Sequence, residues 1–221
     1  MSSVRTIPVF PLPNVVFFPK VHLPLHIFEP RYRRMVANAM AGDRLIGMAL
    51  LRGDWEKDYY GNPDIYPTGC LGEIVRMTPF PDGRSNIVLY GLREYEILEH
   101  ILDRTPYRQA KVRLREEAAG AKANLPNSTR KEVVGLMQQL TKEKESDIQR
   151  ALADPALEDE TWLNLCCFFL DLPILEKQSL LQAKSPEERA AGLVNILRFR
   201  VAERDVGFES HQESRGKKAP H

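Results

Sequence analysis

The chain has 221 residues, of which 43% are hydrophobic and 28% charged, and its formal net charge is +1. That length admits one large domain or two small ones with a sizeable core, and the near-neutral balance offers a polyanion no bulk attraction. Residues 1–116 carry 16 Lys+Arg against 13 Asp+Glu, and the remainder 15 against 17, so neither half has the basic footprint of a nucleic-acid binder.

The opening residues MSSVRTIPVFPLPNVVFFP are apolar but interrupted by prolines, which leaves no h-region for a signal peptide. Two short apolar runs, 7–10 and 15–18, flank the turn-forming PLPN. Residues 21–28 then alternate, with Val21, Leu23, Leu25 and Ile27 on one face and His22, Pro24, His26 and Phe28 on the other. That is the period of a strand. Residues 30–42 follow at helical spacing, with Pro30 in the first turn and Gly42 as the closing cap.

Residues 44–52 read as a central strand, apolar on both faces. Residues 53–69 read as a long loop containing Trp55, Tyr59, Tyr60 and Tyr66. Strands are predicted over 70–80 and 85–101, joined by the turn PDGR, with Gly91 marking a bulge or a close backbone approach. A half-exposed strand follows over 107–116, its outer face carrying Lys111, Arg113 and Arg115. Charged outer faces of this kind usually meet water.

The character changes near residue 120. Residues 117–129 read as a linker, and helices are predicted over 129–144, 146–154, 159–170, 172–183 and 185–204. The first carries the stripe Val133, Leu136, Met137, Leu140. The third is apolar nearly all round and reads as the buried centre of a bundle. The last opens with Ser185, Pro186 and Glu188, a capping-box start. Residues 205–221 read as a disordered polar tail. The three cysteines, Cys70, Cys166 and Cys167, form neither a disulfide framework nor a C-x-x-C zinc motif. Thiols in that pattern suit a reducing compartment. With no apolar run near the ~18 residues of a membrane span, the expected location is the cytoplasm and no membrane partner is expected.

The stretch VHLPLHIFEPRYRRM invites a metal reading, since His22, His26 and Glu29 are spaced 4 and 3 apart. Pro24 opposes it, because proline inside a helix costs about 3 kcal/mol. In a strand, positions four apart lie about 13 Å from one another, too far for two bonds of ~2.1 Å to one ion. Neither a metal nor another cofactor is expected. P-loop, G-x-S-x-G and G-x-G-x-x-G motifs are all missing from the sequence, and no base is spaced beside Cys70 or Ser85. We therefore expect no enzyme. The aromatic loop has two open readings: a contact surface, since Trp and Tyr dominate such surfaces, or a lid packed on the sheet. The candidate peptide-binding residues are Trp55, Tyr59, Tyr60, Tyr66 and Phe80.

IPVFPLPNVVFFPKVHLPLHIFEPRYRRMV, with YGLREYEI near 90–97 and the later KQSLLQA and SPEERAAGLVNIL, resembles the amino-terminal, substrate-binding domain of Lon proteases over about residues 5–202. The resemblance implies an α+β fold. A PUA-like β-barrel or curled sheet with one helix would occupy 1–116, and a helical bundle would occupy 130–204. It further implies a module that recognises unfolded or tagged polypeptide, or serves as an adaptor. Lon or another protease is the implied partner, and weak self-association fits the family. We expect a stand-alone, non-catalytic member without ATPase or peptidase modules. Regulation of a protease by docking, and RNA binding by the PUA-like sheet, are the alternatives; the unsplit charge disfavours nucleic acid.

Overall fold

The computed structural model describes residues 4–58, 61–101, 104–116, 125–140, 152, 154 and 156–216. Six strands come first: β1 (Val4–Leu12), β2 (His22–Ile27), β3 (Leu45–Leu50), β4 (Thr68–Pro79), β5 (Ser85–Ile101) and β6 (Arg108–Leu114). Helix α1 (Pro30–Ala41) lies between β2 and β3, and a 3₁₀ turn spans Trp55–Asp58. Helices α2 (Asn127–Leu140), α3 (Asp159–Phe169), α4 (Ile174–Gln182) and α5 (Pro186–Gly216) complete the described elements. The chain is thus α+β, as its strand-then-helix order predicts.

The sheet order is β2-β5-β4-β3-β1-β6, and β5 also pairs with β6. Five strands therefore close into a barrel, and β2 is appended outside the closure. The 17-residue β5 serves both parts. Its first half pairs with β2, from Ser85 opposite Ile27 to Tyr90 opposite His22. Its second half pairs with β6, from Tyr95 opposite Leu114 to Ile101 opposite Gln109.

Gly91 sits at the changeover. A Cβ there would lie 2.1 Å from the Phe18 carbonyl oxygen. Its N–H donates to Val21 O at 2.9 Å, and its carbonyl accepts from Lys20 N at 2.7 Å. The register against β4 slips at the same level, between Leu71 and Gly72. Bulge and close approach, which the sequence offers as alternatives, both occur.

Every residue of β3 is buried, which suits a strand with neighbours on both sides. Inside the barrel, Tyr95 is 1% exposed and donates its hydroxyl to Met48 O at 3.0 Å. Gly47 and Gly69 make room for it, since a Cβ on either would fall within 3.0 Å of the phenol. Residues 15–18 form no strand, yet Val16, Phe17 and Phe18 are buried. Prolines on either side take them out of the sheet and leave them as an irregular plug. Gly42 closes α1 with φ −115°, and the left-handed turn falls on Arg44 at φ 62°.

The chain divides into two compact units, and the boundary does not follow the change from strands to helices. One unit comprises Met1–Lys122 with Thr161–Gln182; the other comprises Ala123–Glu160 with Ala183–His221. Most of α3 and all of α4 thus belong with the barrel. Two buried amides show why. Asn164 Nδ2 donates to Pro19 O at 3.1 Å, and Gln178 Nε2 donates to Thr68 O at 3.0 Å. Trp162, Leu163, Cys166 and Cys167 are fully buried beside them.

In the other unit, α2 buries Val133 and Met137. Asp159 accepts from Leu125 N and from Arg130 Nε, both at 2.8 Å. Ser185 Oγ accepts from Glu188 N at 3.2 Å, and Glu188 Oε2 from Lys184 N at 2.8 Å, which realises the capping start. Helix α5 continues to Gly216, through most of the stretch expected as a tail. The expected helix 146–154 and residues 117–124 of the expected linker lie largely outside the described residues. Among the described residues, no helix is long and apolar enough to cross a membrane.

Candidate functional site

The appended strand β2 supplies the most distinctive surface. His22, Pro24 and His26 are exposed, while Leu23 and Ile27 are buried, so the alternation sends both histidines outward. His26 Nδ1 lies 2.7 Å from Asn86 Oδ1, and the His22 ring lies 5.0 Å from that of Tyr90. Both are held by side chains of the neighbouring strand. Among the described residues, no three His, Cys, Asp or Glu side chains are grouped as metal ligands.

Around His26 the outer face becomes apolar. Its ring lies 6.0 Å from Phe28 and 6.0 Å from Phe80. Phe28 is 58% exposed and Phe80 37%. Pairing explains the meeting: His26 stands opposite Asn86 and Asn86 opposite Thr78, so the ends of β2 and of the β4–β5 hairpin converge. The hairpin tip is fixed locally. Gly83 takes φ 82°, and Asp82 accepts from Arg84 N at 3.0 Å and from Arg84 Nε at 2.6 Å. Those bonds, the backbone one first, hold the Asp82 carboxyl below the usual carboxylate range. Val75, the extra residue where β4 slips register, is also exposed, as is Met77.

The residues singled out in the sequence do not converge on one surface. Trp55 is half-buried and packs on the barrel cluster that includes Leu45, Ile65, Tyr95 and Leu114. Tyr66 is half-buried, with the Arg52 guanidinium 5.8 Å from its ring. Tyr59 and Tyr60 lie outside the described residues. Phe80 follows the far end of the 12-residue β4 from Tyr66. Phe80 therefore joins Phe28 and His26, which the sequence reading had not grouped with it. The usable signal was Phe28 itself, a large apolar side chain on the polar face of an alternating strand.

The basic face of β6 is neutralised across the sheet. Arg113 Nη1 lies 3.4 Å from Glu96, Arg115 Nη1 lies 3.7 Å from Glu94, and Lys111 stands opposite Glu99. Each of these three cations thus faces a carboxylate.

The model of the ATP-dependent protease La (LON) substrate-binding domain matches residues 6–198. The chain belongs to the LON substrate-binding domain family. Among full-length relatives, it is 27% identical over 217 residues to a Lon protease of Cytophaga hutchinsonii, covering 93% of this chain and 25% of that one. It is 30% identical over 202 residues to the Lon protease of Parabacteroides distasonis, covering 87% and 24%. This LON-family chain thus spans about a quarter of the length of those relatives. Among solved structures, it is similar to a Lon N-terminal domain protein from Xanthomonas campestris, with a TM-score of 0.64 at 20% identity, covering 86% of this chain and 98% of that one. It also resembles the N-terminal domain of a Mycobacterium avium complex Lon protease, with a TM-score of 0.62 at 15% identity, covering 88% and 98%. Both likenesses bear on the fold.

Proposed function

We propose that this LON-family domain is a non-catalytic polypeptide-binding module, and that the face built from Phe28, His26 and Phe80 receives apolar side chains of unfolded segments. The carrying observation is two exposed phenylalanines, one after β2 and one at the β4–β5 turn, each with its ring 6.0 Å from one imidazole. Preorganised aromatic anchors lose little conformational entropy when a partner covers them. Binding by side-chain capture fits better than strand addition. β2 is an edge strand, but Pro24 in its middle lacks an N–H, and proline is a usual protection of such edges. Trp55 and Tyr66 lie on a different part of the barrel and are not needed for this role.

Titration of the full chain with a permanently unfolded, fluorescently tagged protein tests the reading. The Phe28→Ser, Phe80→Ser double variant is expected to bind at least about tenfold more weakly, near 1.4 kcal/mol, with an unchanged melting temperature because both side chains are exposed. Equal binding by the variant would move the site elsewhere. Absence of binding by the unaltered chain would remove the function itself.

A further inference from the structure

The barrel has a second feature that the apolar face does not use. At the end where β1, β3 and β5 finish and β6 begins, a pocket of about 210 Å³ opens between strand ends and the start of α1. Arg31, His100 and Arg108 line it, and Tyr32, Leu51 and Ile101 supply apolar wall.

Arg108 is the unusual group. It is half-buried, and its described hydrogen bond is from Nη2 to the Pro63 carbonyl at 2.5 Å. Among the described residues it forms no ion pair. A guanidinium has five N–H donors, and burying a charge without a paired anion is costly. Burial pushes the Arg108 pKa down; Tyr32, Asp64 and Tyr95 act to raise it, and Arg31 lowers it further. Two like charges thus face one hollow. His100 is pushed below its usual pKa by burial, then by Arg108, with Asp64 opposing. It stands neutral at pH 7 and provides a hydrogen-bonding group, not a third cation.

The surroundings limit the charge of an occupant. Arg31 Nε is already bonded to Glu29 Oε2 at 3.0 Å, and Asp64 contributes a further negative field at Arg108. With Arg31 already paired to Glu29, Arg108 is the lining cation that forms no ion pair among the described residues, so the pocket matches an occupant of one negative charge. The apolar wall asks for a hydrocarbon body behind that charge. Arginine pairs with planar carboxylates through two parallel bonds.

We infer that this barrel-mouth pocket binds a carboxylate carried on an apolar body, with Arg108 as its principal anchor and Arg31 as the second. Two sources present that chemistry: the carboxyl terminus of a polypeptide ending in an apolar residue, and a free branched-chain carboxylic acid. The pocket shares no lining residue with the Phe28–Phe80 face.

Calorimetric titration of the full chain decides it. The probes are an acetylated tetrapeptide ending in leucine, the same peptide as its carboxamide, 4-methylpentanoate and inorganic phosphate. Expected is binding of the free-acid peptide, of 4-methylpentanoate, or of both, at least tenfold tighter than the carboxamide or phosphate. A preference for the peptide assigns the chain end as the source, and equal affinity assigns the free acid. Arg108→Gln should abolish this heat of binding. Arg31→Gln, which leaves the sheet untouched, should weaken it severalfold, so the outcome does not rest on one variant's folding. Equal binding of acid and carboxamide, preference for phosphate, no binding of any probe, or undiminished binding by both variants would each overturn the inference. The Phe28→Ser, Phe80→Ser variant should bind these probes normally, which separates this result from that of the unfolded-protein titration.

Discussion

Tyr95 shows what one residue does for the barrel. Its phenol is fully buried against Met48 O, and burial pushes its pKa up from the usual 10.0. A raised folded pKa means that the stabilisation is complete below the unfolded value. It is lost progressively above pH 10, where the unfolded chain ionises and the folded one does not. Urea unfolding from pH 7 to pH 11 should therefore show the wild type losing stability above pH 10 with an extra slope of up to about 1.4 kcal/mol per pH unit. Tyr95→Phe should cost about 1 kcal/mol at pH 7, through one lost hydrogen bond, and remove that extra slope. Gly69→Ala should be worse than Tyr95→Phe, because its Cβ would come 2.4 Å from the Tyr95 oxygen and 2.3 Å from Met48 O, and backbone yields less readily than a side chain.

Strand β5 is one element with two partners, and Gly91 is where it changes them. Gly91→Ala forces the Phe18 carbonyl away and strains the bonds to Lys20 and Val21. We expect a loss of about 3 kcal/mol or more, measured as the shift in urea midpoint. At the sheet edge, Pro24→Val would restore a full row of N–H groups to β2. Sedimentation should then show stronger concentration-dependent association than the wild type; no increase would mean that the edge is guarded by something else. Alternation across 21–28 and the double-sided apolarity of 44–52 were legible because side-chain patterning along a strand is a local signal. The meeting of Phe28 with Phe80 was not, because it depends on which strands pair and in what register, and composition says nothing of either. For the same reason the apolar residues 15–18 do not say whether they join the sheet. Their hydrophobicity reports burial, and burial is what they have, without a ladder. The polar run after residue 205 lacks a core stripe, yet the helix that begins at Pro186 continues through it to Gly216.

At the scale of the whole chain, one compact unit is assembled from two separated stretches. Asn164 and Gln178 each satisfy a backbone carbonyl of the barrel from fully buried positions. The double variant Asn164→Ala, Gln178→Ala is expected to lower stability by about 2–4 kcal/mol, since two buried acceptors lose their donors. A fragment of residues 1–122 should melt at a lower temperature than residues 1–182, as followed by near-ultraviolet circular dichroism. Equal melting would show that the barrel needs neither helix. The discontinuity also bears on how the protein is born. All six strands are synthesised before residue 122, but α3 and α4 arrive only after the excursion that begins at Ala123. At roughly 5–20 residues per second, the roughly 60 residues up to Gln182 take about 3–12 s to synthesise. Collapse of such a chain takes about 10–100 μs. For those seconds the nascent barrel waits with the surface meant for Trp162 and its neighbours open to water. In that interval the chain is itself a client for the kind of binding its finished form is proposed to perform.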